Sequence, residues 1–376
     1  MAQAAPQSNP AAVNAQLRAA LLATAPRMRK NVGTFTNALG TTSRIKLFNV
    51  GVVTMLQIAV TATVTIGVAN AIASPKGPWN LINKLRITDY DGTDRVNLSG
   101  FQLFQVNSVR YREPFGWNNS GMSALITNPQ QPLAVGNQTV RFLINIPIAY
   151  DPENDLRGAI LAQTAVGEMY LNIDWNSAFV GATDDFPYNN ATVPTNTVVS
   201  NGTSPISVQV WQHYLLPQAI GKNGQIPLPP LDLMTVYELA GAVISSDNIA
   251  ANAERLFNYP NVRTVIGAYF SYMNGTTLAA VGDTSQHRII ANGNNILRDE
   301  TELSKYFNQR LYTHGDIARG VFYNLHRDKP IETALFGNVQ NGITPASVGA
   351  NSYFESMYES FYTKGTTLPG MQQAGG

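Results

Sequence analysis

The chain has 376 residues and a mass of 40.8 kDa, with 44% hydrophobic and 13% charged residues, and 25 basic against 24 acidic side chains leave a net charge of +1. That length and apolar content can bury a large core, as one big domain or two ordinary ones, which excludes disorder throughout. Cysteine is absent, which excludes disulfides, thiol nucleophiles and thiolate metal sites together.

The near-neutral total hides an uneven distribution. The first carboxylate is Asp89, and before it stand Arg18, Arg27, Arg29, Lys30, Arg44, Lys46, Lys76, Lys84 and Arg86, so this stretch carries +9 and the remainder −8. Such polarity along the chain suits an anionic partner for one surface if the N-terminal part stays together in the fold.

The opening MAQAAPQSNP lacks the basic and apolar regions of a secretory signal, so export by that route is not expected. Residues 1–40 read as an arm. Asn9 can cap a helix with Pro10 in its first turn, and Val13, Leu17 and Leu21 fall four apart before Pro26 interrupts the run. Arg27, Arg29 and Lys30 follow directly, so the arm joins a modest apolar stripe to a compact positive patch. A helix packed on its own body is the plainer alternative.

Leu47 to Pro75 holds no charge and is long enough to cross a bilayer as a helix. Ile58, Val60, Ala62, Val64, Ile66 and Val68 nevertheless alternate with Gln57, Ala59, Thr61, Thr63, Thr65 and Gly67, a period of two that predicts a strand. Strands are expected over 45–57, 58–69, 80–89, 139–149, 166–175 and 205–214, with turns at Asp91-Gly92, Asn119 to Gly121 and Asn201-Gly202. The long polar stretch from Thr183 to Pro205 reads as an exposed or functional loop.

Leu215 to Pro230 is dense in proline and glycine and marks the domain junction. Strand-like runs resume at 231–244, 262–273, 286–292, 319–326, 331–336 and 351–362, and the polar, glycine-rich end is expected to fray. The segments beginning at Leu85 and His287 echo each other: each runs from a strand through a polar turn to an arginine, Arg95 or Arg298, and then to a predicted helix near Tyr111 or Tyr312. The expected organisation is an arm over 1–40, a first β unit over 41–216, a linker over 217–230, a second β unit over 231–362 and a flexible tail over 363–376. Stacked antiparallel sheets would hide the apolar faces, and two eight-stranded jelly rolls side by side fit the length.

Chemistry is sparse. Neither a phosphate-binding glycine loop nor a zinc-protease helix motif occurs, and His213, His287, His314 and His326 are widely separated. Asp89, Asp91 and Asp94 resemble a cation-binding turn, but Gly100 occupies the position where an EF-hand needs its glutamate, so a solvated turn is favoured. Asp151, Glu153 and Asp155 form a second acidic cluster, read as a surface loop. Tyr353, Phe354, Tyr358, Phe361 and Tyr362 suit a core or a subunit interface. Arg18, Arg27, Arg29 and Lys30 suit lipid headgroups or packaged nucleic acid. The apolar stripe before them favours lipid, and no module for reading nucleic-acid sequence accompanies them.

The stretch WNLINKLRITDYDGTDRVNLSGFQLFQVNSVRY, residues 79–111, resembles the double jelly-roll major capsid proteins of tailless icosahedral phages with an internal membrane, the tectivirus-like group. The matching elements are a strand at Leu85–Tyr90, an arginine-bearing strand at Arg95–Asn97 and a helix at Phe101–Arg110. The resemblance implies an all-β double jelly roll with short helices and an N-terminal helical arm, working as a homotrimer that forms a pseudo-hexagonal block of a virion shell. Neighbouring capsid trimers, minor capsid proteins and the internal viral membrane are the implied partners, with Arg18, Arg27, Arg29 and Lys30 facing that inner layer. Loops at 113–137 and 183–204 are the implied exposed or intersubunit segments. No cofactor, metal or catalytic group is implied, and synthesis would take place in the host cytoplasm. The competing reading is a β-sandwich glycoside hydrolase or carbohydrate-binding protein using the acidic clusters, which would place two carboxylates about 5 to 10 Å apart across a cleft.

Overall fold

The computed structural model describes residues 21, 24–67, 71–74, 76–110, 133–153, 156–163, 165–183, 185–189, 198–200 and 202–217, and beyond them 238–240, 267–271, 273–274, 277–278, 286–291, 295–301 and 355–359. Eight main strands occupy the first half: β1 Arg27–Asn37, β2 Thr42–Lys46, β3 Val52–Ile66, β4 Ile82–Thr88, β5 Asp94–Leu98, β6 Gly136–Pro147, β7 Tyr170–Trp175 and β8 Ile206–Leu215. One sheet runs β1-β8-β3-β6 and the other β2-β7-β4-β5, with every one of these pairs antiparallel. First pairs with last, second with seventh, third with sixth and fourth with fifth. Only β4 and β5 are neighbours both in the chain and in a sheet, which is the nested wiring of an eight-stranded jelly roll.

Alternation builds the sandwich. Ile58, Val60, Ala62, Val64 and Ile66 of β3 turn inward with Val140, Phe142, Ile144 and Ile146 of β6 and Ile206, Val208 and Val210 of β8. Opposite them lie Ile45, Leu85, Ile87, Val96, Leu98, Leu171, Ile173 and Trp175 of the second sheet, so two apolar faces close on one core. The reverse side of the first sheet is half-buried and polar, carrying Gln57, Thr61, Thr63 and Thr65 on β3 and Ser207, Gln209, Trp211 and His213 on β8.

Two expected strands, 45–57 and 58–69, are divided differently. The run through Ile66 is one fifteen-residue strand that starts at Val52, and the chain breaks earlier, at Gly51. Gly51 has φ of +56°, and a Cβ there would lie 2.2 Å from the Leu215 carbonyl oxygen, so this turn requires glycine. The expected arm over 1–40 is also divided. Residues 27–37 form β1, an edge strand of the first sheet, and Leu21 and Ala25 just before it are buried against Val52, Leu156, Ala159 and Leu215. The chain around Leu21 and Thr24 is helical, as the spacing predicts, whereas Val13 and Leu17 lie outside the described residues.

Helix α1, Gly100–Arg110, follows β5. Ser99 Oγ accepts from the Gln102 amide (3.1 Å) and Gln102 Oε1 accepts from the Ser99 amide (2.9 Å), a reciprocal cap that starts the helix. Phe104 then stacks on Trp79 with ring centroids 3.6 Å apart, which fastens α1 across the end of the sandwich.

The stretch read as an exposed loop from Thr183 is corrected in part, because Tyr188 is wholly buried and stacks on Phe179 at 5.4 Å. Tyr188–Asn189 pairs there with Ile72–Ala73 and Val180–Gly181. In the second half, Gln286–Ala291 and Asn295–Thr301 form an antiparallel hairpin, and Gly267–Ser271 pairs antiparallel with Glu355–Glu359 around it in sequence. The same two relations hold in the first half, where the β3–β8 pair encloses the β4–β5 hairpin. The segments that echo each other in sequence are therefore both hairpins. Leu239–Ala240 adds in parallel to Val96–Asn97 at the edge of β5. The runs expected at 319–326 and 331–336 lie outside the described residues.

Candidate assembly and anion-contact site

Of the four basic residues expected to meet an inner layer, Arg18 lies outside the described residues and the other three stand at the start of β1. All three are exposed. Strand geometry separates what looks compact in sequence, because alternate residues point to opposite faces. Arg29, the register partner of His213, lies on the outward side of the first sheet, with its guanidinium 4.5 Å above the Trp211 ring and donating to Gln57 Oε1 at 2.7 Å. Gln57 Nε2 passes the network on to Asn145 Oδ1 at 2.8 Å. Lys30 is the partner of Gln212 and takes the other side, its ammonium 3.8 Å from the centre of the Phe48 ring. Arg27 donates to the Glu153 carbonyl oxygen at 2.9 Å. Aromatic rings and neutral acceptors thus orient the three cations, and their charge stays available to an anion.

His213 lies within this network. Burial pushes its imidazole below the ordinary histidine range, and the Arg29 charge pushes in the same direction. The other outward sheet face carries a more balanced set: Lys46 bonds to Glu168, which also accepts from Tyr170. The bond from Lys46 and then that from Tyr170 hold the Glu168 carboxyl below its usual range.

The acidic turn at Asp89 has a structural role. Asp89 is buried; its Oδ1 accepts from the amides of Asp91 and Thr93, both at 3.0 Å, and its Oδ2 from Arg95 Nε at 2.6 Å. The register slips between Ile87 and Thr88, so Arg95 is an extra residue on β5, and this bulge is what folds a charged side chain inward. Asp94 lies apart, accepting from Thr88. In the other acidic cluster, Asp151 accepts from the Glu153 amide, and Asp155 lies outside the described residues. No group of three or more metal-ligating side chains occurs among the described residues. No sequence signal marked Trp211, Gln57 or Asn145, which acquire meaning only through the register of three strands distant in the chain.

Two family models match the chain: the N-terminal part of the P3 major capsid protein over residues 2–217, and its C-terminal part over residues 234–372. The chain belongs to the P3 major capsid protein family. This bears out the resemblance carried by residues 79–111 and gives the chain a structural role; the glycosidase reading is not favoured. The capsid chain is 28% identical to the major capsid protein P3 of Enterobacteria phage PRD1 over 345 residues, 84% of this chain and 82% of that one. Among solved structures, the STIV MCP overlaps with a TM-score of 0.38 at 16% identity, covering 54% of this chain and 55% of its own. The major capsid protein P2 of bacteriophage PM2 overlaps with a TM-score of 0.27 at 10% identity, covering 51% of each chain. The capsid chain therefore spans about half the length of these solved chains.

Proposed function

We propose that this capsid protein is the main building block of an icosahedral virion shell, assembling as a homotrimer of double jelly rolls whose pseudo-hexagonal outline tiles with neighbouring trimers. The observation that carries this reading is the family match across both halves, and the eight-stranded first unit is physically consistent with it. Closed sandwiches give rigid walls, and a shell needs self-complementary contacts more than a reactive centre. Light scattering tests the reading: a mass three times the 40.8 kDa protomer is expected, and a strictly monomeric species at high concentration would count against it.

The finer proposal is that residues 1–30 face an anionic inner layer, with Arg18, Arg27, Arg29 and Lys30 making peripheral contact with the internal membrane. The exposure of the last three and their neutral platforms support it. Minor capsid proteins are the remaining proposed partners, and the segments 217–230 and 363–376 are proposed as linker and tail. Production in the host cytoplasm belongs to the same proposal.

A further inference from the structure

Four of the cations that precede Asp89 meet on the outward side of the second sheet: Arg44 and Lys46 on β2, Lys84 and Arg86 on β4. The register sets Arg44, Asn172, Arg86 and Asn97 in one row across β2, β7, β4 and β5, with Lys84 next to Arg86 on the same face. Three carboxylates share that face or its rim, and each is bonded elsewhere: Glu168 to Lys46 and Tyr170, Asp174 to Thr42, and Asp94 to Thr88. Arg44 acts on Glu168 through space without bonding to it. Among the described residues no carboxylate comes within ion-pair distance of Arg44, Lys84 or Arg86. Arg44 is laid over the Tyr170 ring at 3.8 Å, whereas Arg86 is half-buried and its Nε–H, closed to solvent, has no acceptor. A guanidinium held in that state keeps a desolvation cost that an anion would offset.

We infer that this row is a binding site for a phosphate group, held by Arg44, Arg86 and Lys84 above Asn172. Strands about 4.8 Å apart put Arg44 and Arg86 roughly 10 Å from each other on either side of Asn172, a gap that two long side chains can close onto one ligand. The donor set favours phosphate over carboxylate. A phosphate monoester carries about −1.5 to −2 charges and three strong acceptor oxygens, which match two guanidinium forks, an ammonium and the carboxamide of Asn172 better than the two oxygens and single charge of a carboxylate do. The phosphate can be a free ion or the headgroup of a lipid. This site belongs to the second sheet, apart from the basic start of β1, and it depends neither on the trimer nor on the contact proposed for residues 1–30.

Calorimetric titration of the full-length chain with inorganic phosphate, at constant ionic strength, tests this together with flotation on phosphatidate vesicles. Arg86→Gln is expected to weaken phosphate binding by roughly tenfold or more and Lys84→Gln by roughly threefold, while Arg141→Gln, which removes an exposed charge from the other sheet, leaves it unchanged. Lys84 is exposed, so Lys84→Gln carries the test if Arg86→Gln fails to fold. Loss of vesicle binding in the same two variants would name a lipid headgroup as the source of the phosphate; vesicle binding indifferent to them, beside weakened titration, would name a free phosphate. A wild type that neither binds phosphate saturably nor binds vesicles through Lys84 and Arg86 would overturn the inference. So would phosphate binding that both substitutions leave intact, and its loss in Arg27→Ala/Lys30→Ala instead would assign the anion to the start of β1.

Discussion

Gln212, wholly buried in β8, exchanges two hydrogen bonds with the backbone of Phe48: its Nε2 donates to the Phe48 carbonyl at 2.8 Å and its Oε1 accepts from the Phe48 amide at 3.0 Å. The turn between β2 and β3 is thereby tied to the last strand of the sandwich across 164 residues of chain. Gln212→Leu takes the acceptor away from the Phe48 amide and leaves the Phe48 carbonyl only its bond from the Val50 amide, and should lower unfolding free energy by about 1–3 kcal/mol in denaturant titration. Gln212→Glu keeps the acceptor and loses the donor, so it should still be destabilised at neutral pH.

The Asp89–Arg95 pair predicts a larger effect. Both side chains are almost fully buried, at 2% and 7% exposure, so removing either leaves the other charge without its partner. Asp89→Asn and Arg95→Met should each cost about 3–5 kcal/mol, whereas the double variant should cost clearly less than the sum. Additive losses in a double-mutant cycle would show that the two side chains act separately.

Acidification should act through His213. Its folded pKa lies below the ordinary 6.5, so between the two values the unfolded chain binds more protons and stability falls as pH drops through that window. Above 6.5 both states are neutral and the contribution is flat. Melting curves from pH 7 downward should show a decline that His213→Gln reduces; identical slopes in the two proteins would remove His213 as its source.

The basic start of β1 offers a separable measurement. Deleting residues 1–30 would cut into β1, so replacing Arg27 and Lys30 with alanine is the cleaner change, because Arg29 also supports Trp211. At about 1 kcal/mol per cation near an anionic surface, binding to phosphatidylserine vesicles should weaken by roughly tenfold or more, with a shallower salt dependence. Sheet stability should hardly move.

Gly51→Ala tests the turn that leads into β3, near the start of the uncharged run. A side chain there faces both an unfavourable backbone conformation and the Leu215 carbonyl, so a loss of more than about 3 kcal/mol is expected on thermal melting.

Alternation made β3 legible, because a strand buried on one face repeats its pattern every second residue regardless of its neighbours. The β4–β5 hairpin was legible for a related reason, since its Asp91-Gly92 turn chemistry is local, whereas α1 was expected from the echo and from the resemblance of residues 79–111, its Ser99–Gln102 cap going unread. β1 was hidden because an edge strand exposes so much of itself that Arg27 to Asn31 reads as a charged tail, with Gly33 and a register slip interrupting its period. Arg95 could not be read as buried, since only the bulge turns it inward. Tyr188 was lost in a polar loop because its burial comes from Phe179 and from strands distant in sequence. The basic cluster was visible as charge, but its division between two faces required knowing that Arg29 sits on a strand.

The nested pairing has a consequence for synthesis. Arg27 is matched to Leu215, so the first sheet cannot gain β8 until nearly all of the first unit has emerged from the ribosome. Until then β3 has an open edge along most of its length, and only the short β4–β5 hairpin can close early. Closure of such long loops is slow, and the waiting edges are prone to pairing with other chains. A protein made at the high concentration a shell requires would thus gain from protection during elongation, and the yield of soluble chain should rise when translation is slowed or a holdase is supplied.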